Sequence, residues 1–287
     1  MVNPKIDNLL QGYEAARHDI IWIWDSNVFV DRGCLGRSVD KLSIPNVGLI
    51  HHLPCGVSPQ TFGSLLEMTF LNTAHAKMYA TINFIGVASC VIGKSNLFRK
   101  SDLLKVGGLR AFGCYMAEDN MLAQALWDLG YKHETTSDVV YQPLGDIPFI
   151  DYLKRRSRWT RIRKYIVRVA TLIEPATESI LCGLILIFGI NVFWDMNPVV
   201  VFTLHMIGWF IVDATIFYAI QQKIQVDFKI FILSWIVREI TAFPLYLYAI
   251  AGSRVNWRGS FFLLKRDGML IPNGKIFFFF FKTSRLD

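Results

Sequence analysis

Three clusters in this sequence hold side chains that could do chemistry. Asp25-Ser26-Asn27 follows the apolar run Asp19 to Trp24, Glu118-Asp119 opens a stretch of helical pattern, and Arg155, Arg158 and Trp159 lie inside the basic segment Phe149 to Arg168. A carboxylate just beyond a strand can face a metal-bound phosphate group, because ligand crevices in open α/β sheets lie past the carboxyl ends of strands. The same Asp-Ser pair also serves as a helix cap or turn. Glu118 and Asp119 at a helix start suit the helix dipole, or supply a general base at the mouth of a sheet. His75 is a possible substrate contact or a structural histidine. His51 and His52 are adjacent, so on a strand they point to opposite faces and do not share one ion. The five cysteines are scattered without a C-x-x-C pair, which argues against a zinc site or disulfide framework and suits a reducing cytosolic face.

These residues need elements to position them. Ile6, Leu9, Leu10, Tyr13 and Ala16 share one helical face. The run Asp19 to Trp24 fits a strand buried on both faces, as in a parallel sheet. A helix over Cys34 to Leu42, a short strand over Val47 to His51 and a helix over Gln60 to Ala80 follow. Phe84 to Ile92 then reads as a strand and Val106 to Leu109 as a turn. Met121, Leu122, Ala125, Leu126 and Leu129 form the apolar stripe of a helix that Gly130 ends. Lys132 to Tyr141 returns as a strand, and Pro143 to Pro148 connects it to the basic segment.

That segment carries eight Lys/Arg against one acid, Asp151, a net +7 that equals the charge of all 287 residues. Its apolar residues fall at helical spacing, so it reads as an amphipathic helix on an anionic membrane surface, with Lys154, Arg161, Arg163, Lys164 and Arg168 toward lipid headgroups. Hydrophobic residues make up 53% of the chain and concentrate after Ile173, where Ile173–Trp194, Pro198–Ile220 and Ile230–Ala251 approach spanning length. An integral membrane protein is indicated, with phospholipid rather than nucleic acid as the partner of the positive charge. Met1 to Gln11 lacks the apolar core of a secretory signal. Arg238 and Glu239 in the third stretch need partners, and Asp213 is the candidate for Arg238. The positive-inside bias of Lys223, Lys229, Arg254, Arg258, Lys265 and Arg266 predicts that Ile230–Ala251 does not simply span, but bends at Pro244 or lies at the interface. The run Phe277 to Phe281 is too short to span.

In their order, Asp25, Glu118-Asp119 and Arg155-x-x-Arg158-Trp159, followed by membrane segments, resemble the family-2-like glycosyltransferases with a D, D, (Q/R)xxRW pattern. The resemblance is nearest to the ceramide glucosyltransferase family, with Asn3-Pro4-Lys5, Asn8-Leu9, Asp19 to Ile23, Leu103 to Leu109, Glu174-Pro175 and Trp257-Arg258 as further matching stretches. It covers about Val2 to Arg258. It implies a GT-A-like (Rossmann-like) α/β domain over 1–148, a basic interfacial helix over 149–172, membrane helices over 173–258 and a basic, aromatic tail over 259–287. It implies an inverting transfer of glucose from UDP-glucose to ceramide. Asp25 would hold the diphosphate through a divalent cation, Mg²⁺ or Mn²⁺. Asp119 would be the general base, and Arg155, Arg158 and Trp159 the wall beside diphosphate and acceptor. His75, Glu118, Trp257 and Arg258 are possible substrate contacts. A multi-pass Golgi membrane protein with a cytosolic catalytic face is implied. The family pattern has an anchor and further strands, with another Asp, ahead of Asn3-Pro4-Lys5, so an N-terminally truncated member is expected. Such a chain could instead be a catalytically impaired partner of a full-length enzyme, or a homo-oligomer. A processive polysaccharide synthase is the rival enzyme, although Arg155 stands where those usually carry Gln.

Overall fold

A computed structural model describes residues 2–221, 226–257, 259–265 and 267–272. The chain opens with α1 (Pro4–Ala15). The Asn3 side chain caps this helix by accepting from Lys5 N at 2.8 Å and Ile6 N at 3.3 Å. Strand β1 (Ile20–Trp24) leads through a loop to α2 (Cys34–Leu42), whose bounds match the sequence reading, and then to β2 (Val47–Pro59). The expected short strand Val47–His51 is only the first part of β2, which runs on for 13 residues. Next come α3 (Phe62–Phe70), a π turn over Leu71–His75 and α4 (Ala76–Ile85). They are followed by β3 (Ser95–Arg99), α5 (Lys100–Leu104), α6 (Glu118–Asp128) and β4 (Lys132–Gly145). The fold is mixed α/β, with strand order β1-β3-β2-β4.

Two strand expectations are corrected. β1 is not buried on both faces. It pairs antiparallel with β3 alone, from Ile20 opposite Arg99 to Trp24 opposite Ser95, and forms the sheet edge among the described residues. Among the described residues only β2 and β4 pair in parallel. Phe84–Ile92 is not a strand, because α4 continues to Ile85 and ends at Gly86, whose φ of +68° suits a residue without Cβ. Phe84, Ile85 and Val87 stay outside the core, Phe84 at 92% exposure, while Val91 at the end of the stretch packs into it. Beneath the sheet, Ile6 and Leu10 of α1, Leu49, Phe98, Leu103, and Leu122 and Leu126 of α6 make one buried core. That core locks the first turns of α1 and α6 side by side, which positions the site.

The basic segment is α7 (Phe149–Ile166), and α8 (Arg168–Ile173) follows a break at Val167. The expected first membrane stretch is shorter than it looked. Its helix, α9 (Ser179–Phe193), has 15 residues and meets α8 and the turn Glu174–Thr177 at a 75° bend. Helices α10 (Pro198–Gln221) and α11 (Phe228–Ala251) are 24 residues each, long and apolar enough to cross a membrane. At a rise of 1.5 Å per residue each reaches about 36 Å, more than a hydrocarbon core of about 30 Å. α11 continues through Pro244 and does not turn back. The stretch expected as a tail instead folds in part. β5 (Arg254–Trp257), β6 (Ser260–Leu264) and β7 (Leu270–Pro272) form an antiparallel sheet. Lys223, Arg258, Arg266 and Phe277 to Phe281 lie outside the described residues.

The basic side chains of α7 do less at a membrane surface than their number suggested. Arg161 donates to Ala249 O at 3.3 Å and Arg254 O at 2.8 Å, and Lys164 to Ile250 O at 2.7 Å. They cap the carbonyl end of α11, where the helix dipole favours cations. Arg163 pairs with Glu174, so Lys154, exposed and paired to Asp151 at 3.1 Å, keeps a solvent-facing position.

Candidate active site

Asn3, Pro4 and Lys5 start α1 beside the start of α6. Asn3, fully buried, uses one amide to donate to Tyr115 O at 2.6 Å and to Glu118 Oε2 at 3.0 Å. Lys5 then reaches across the gap. Its Nζ lies 2.9 Å from Glu118 Oε1, 3.4 Å from Asp25 Oδ1 and 3.4 Å from Gly93 O. Lys94 holds the other Asp25 oxygen at 2.7 Å. The two expected acidic positions, 93 residues apart in sequence, are therefore joined by one lysine.

The charges tune each other. Burial works against the Lys5 ammonium, but Glu118, Asp119 and Asp25 outweigh it and hold its pKa above the ordinary value. Burial would raise the Asp25 carboxyl, yet Lys5 and Lys94 hold it below the usual carboxylate range. Glu118 is shifted upward by burial and by neighbouring Asp119, with Lys5 opposing. Lys94 is lowered by burial and by the cations Arg155 and Lys5, with Asp25 opposing. Arg155 thus brings its field to the same site.

Asp119 differs from its neighbours. It is half-buried and makes no hydrogen bond or ion pair among the described residues. Its carboxylate lies against Gly93, where an added Cβ would stand 2.6 Å from Asp119 Oδ2 and 2.9 Å from Lys5 Nζ. Position 93 therefore needs a residue without a side chain. Sequence reasoning passed over Gly93 and Lys94. Their signal was a Gly-Lys pair placed directly before the polar strand β3.

On α7, Arg155 Nε pairs with buried Glu67 Oε1 of α3 at 2.8 Å, and its guanidinium lies 5.2 Å from the Trp159 ring centre. Trp159 packs edge-on to Phe70 and tilted against His75. Arg156, which the sequence reading did not single out, is buried over the Phe70 ring, and burial brings its pKa down to about 10. Arg158 donates weakly to Asn256 O at 3.4 Å, so α7 docks onto β5 next to Trp257. Burial and Arg155 lower the Arg158 pKa. His75 is buried, stacked on Tyr79, and burial with Arg156 and Arg163 pushes its pKa down to about 3. It is a neutral imidazole at any ordinary pH. His51 meets Tyr79, while His52 bonds Ser38 at 3.0 Å and Ser95 at 2.8 Å. The adjacent histidines are structural and face apart.

A divalent cation is not supported by these residues alone. Both Asp25 oxygens are engaged by lysines, and no group of three His, Cys, Asp or Glu among the described residues is placed to hold an ion.

A mixed α/β sheet domain joined to apolar helices, with acid and base groups gathered at its edge, defines a membrane-associated enzyme class. The family model for glycosyl transferase family 21 matches residues 1–270, and the chain belongs to that family. Among its relatives, the ceramide glucosyltransferase of Komagataella phaffii is 35% identical, aligned over 92% of this chain and 68% of that protein. The Pyricularia oryzae ceramide glucosyltransferase is 32% identical over 94% and 69%, and ceramide glucosyltransferase 1 of Caenorhabditis elegans is 29% identical over 94% and 58%.

Proposed function

We propose that the chain transfers glucose from UDP-glucose to ceramide, with inversion at the anomeric carbon, on a GT-A-like domain held at a membrane. The observation that carries this reading is the Lys5 bridge, which brings Asp25 and the Glu118-Asp119 pair to one place, with the Asp119 carboxylate outside any hydrogen bond or ion pair among the described residues. Asp119 takes the proton of the ceramide primary hydroxyl. The freed oxygen pair attacks the glucose C1, and the C1–oxygen bond to UDP breaks with its electrons passing to the diphosphate. Lys5, Lys94, Arg155 and Arg158 supply positive charge for that leaving group, Arg through a planar fork suited to phosphate oxygens. Glu118 positions Lys5. Membership of the family and the names of the relatives support the donor and acceptor. α10 and α11 hold the site at the bilayer from which the acceptor comes. The Golgi membrane, with the sheet domain on its cytosolic face, is the location this reading proposes.

The test is UDP-glucose:ceramide transfer by the purified chain in lipid vesicles. One glucose per ceramide in β linkage is the expected product. A polymer, or no transfer to ceramide, contradicts the reading.

A further inference from the structure

A cavity of about 880 Å³ lies between the sheet domain and the apolar helices, separate from the Asp25–Lys5 cluster. Met78 and Ile82 of α4, Ile173 of α8, Leu186 of α9, and Leu204 and Val212 of α10 line it. That volume is near the top of the range of about 300–1,000 Å³ that ligand sites occupy. The charged groups on its wall are paired. Lys77 meets Asp213 at 2.6 Å, Glu178 meets Arg238 at 2.5 Å, and Arg163 meets Glu174. Two buried polar atoms on the wall, His75 Nδ1 and Trp209 Nε1, have no hydrogen-bond partner among the described residues. Buried polar groups left unpaired mark a place for a ligand or water.

Two of the walls run straight on into exposed apolar residues. Beyond Ile82 come Phe84 and Val87, 92% and 73% exposed, and beside Ile173 stand Val169 and Leu172, 71% and 74% exposed. Isolated exposed apolar residues are ordinary, but this rim continues onto the apolar faces of α9 and α10. At its polar end the cavity approaches the chemistry. His75 stacks on Tyr79 at 5.6 Å, and Tyr79 is close enough to Asp119 for that carboxylate to add to the burial that raises its hydroxyl pKa.

We propose that this cavity is a lipid-chain site. It takes a hydrocarbon chain of an uncharged lipid from the bilayer, past the Phe84–Val87 segment and α8, and sets the lipid's hydroxyl or amide group against His75 and Trp209. An anionic headgroup finds no spare cation here, since Lys77 and Arg163 are each matched by an acid, whereas the Asp25–Lys5 side of the molecule has Arg158, held only by a weak bond to Asn256 O. A neutral imidazole and an indole N–H suit hydroxyl and amide groups instead. The identification of this lipid as the acceptor rests on the function proposed above; its binding does not.

The test uses the full chain in phosphatidylcholine vesicles with a ceramide that bears a diazirine in its acyl chain. Photolabelling is expected within residues 74–82 and 182–212. Unlabelled ceramide should compete, and phosphatidic acid should not. Gly208 lines the cavity and has open space at its Cβ position. Gly208→Phe should cut labelling at least fivefold and raise the KM for a long-chain ceramide about tenfold, leaving the KM for a six-carbon ceramide and for UDP-glucose within twofold. Labelling elsewhere, displacement by phosphatidic acid, or equal effects of Gly208→Phe on both chain lengths would overturn the proposal. Labelling of the cavity by a chain that transfers no glucose sustains this inference and sinks the function. Transfer with labelling elsewhere does the reverse.

Discussion

Two clusters of acids and bases sit in this molecule, and they are built differently. At the edge of the sheet, Lys5 and Lys94 hold partly exposed Asp25 and Lys5 holds buried Glu118, while the Asp119 carboxylate makes no hydrogen bond or ion pair among the described residues. Among the apolar helices, Arg238 lies between Glu178 and Glu239, Ser179 donates to Glu239, and Asp213 takes Lys77 and the Trp235 indole at 2.8 Å. The second cluster is closed and ties α9, α10, α11 and α4 together. The first is open and keeps one carboxylate spare. Full pairing is what burial in an apolar environment demands, whereas a general base must remain free to take a proton. A perturbed cluster is thus a candidate for chemistry when a member is unpaired and reachable, and a structural tie when every member is matched.

The comparison can be broken at either end. Asp119→Asn should lower the transfer rate by about 10²–10⁴-fold, the usual contribution of a general base, with the thermal midpoint within a few degrees of the parent. Arg238→Met leaves buried Glu239 and partly exposed Glu178 without their cation, and should cost about 3–5 kcal/mol of stability, read as a large fall in the melting temperature of the detergent-solubilised protein. Lys94→Met removes a charged hydrogen bond to Asp25, of which such bonds are worth about 1.5–3 kcal/mol, and should raise the KM for UDP-glucose at least tenfold with little change for ceramide. Lys154→Ala breaks only an exposed pair with Asp151 and should shift stability by less than about 0.5 kcal/mol.

A pH effect falls between these. His75 has its folded pKa lowered to about 3 by burial and by Arg156 and Arg163, while an unfolded histidine titrates near about 6.5. Below that value the unfolded chain binds a proton that the folded chain refuses, so stability falls as pH drops. At pH 5.5 the loss from His75 alone is about 1.4 kcal/mol. His51, His52 and His133 are lowered too, burial being the first cause in each. The melting temperature should therefore drop between pH 7.5 and 5.5, and His75→Gln should flatten that slope in part. A drop that His75→Gln leaves unchanged contradicts this assignment.

Much of this was legible in the sequence where local rules govern. α2 begins and ends at the expected residues, and α1 and α6 bury Ile6, Leu10, Tyr13, Leu122 and Leu126 of the expected faces, although Ala16 and Leu129 fall beyond the helix ends and Leu129 is exposed. The order of Asp25, Asp119 and the Arg155–Trp159 motif pointed to the right family. What failed was tertiary. Apolar content at Phe84–Ile92 cannot say which residues enter a core: Val91 does, while Phe84, Ile85 and Val87 stay exposed. β1 looked doubly buried from composition, yet lies at an edge. Asp213 was the reasonable partner for Arg238 within the apolar stretches, but Glu178 and Glu239 take that role and Lys77 of α4 claims Asp213. The charge of α7 announced a membrane surface, while Arg161 and Lys164 are spent on the carbonyl end of α11. The Gly93-Lys94 pair gives no hint of its partner, and only the fold sets Lys94 on Asp25.

The central claim is that the unpaired carboxylate at the start of α6 does the chemistry and its paired neighbour holds the lysine. The most direct measurement is the rate of glucose transfer to ceramide by Asp119→Asn and Glu118→Gln, side by side and at saturating UDP-glucose. The account predicts that Asp119→Asn loses nearly all turnover, while Glu118→Gln keeps most of it and shows its defect as a raised KM for the donor. Turnover retained by Asp119→Asn but lost in Glu118→Gln would contradict it.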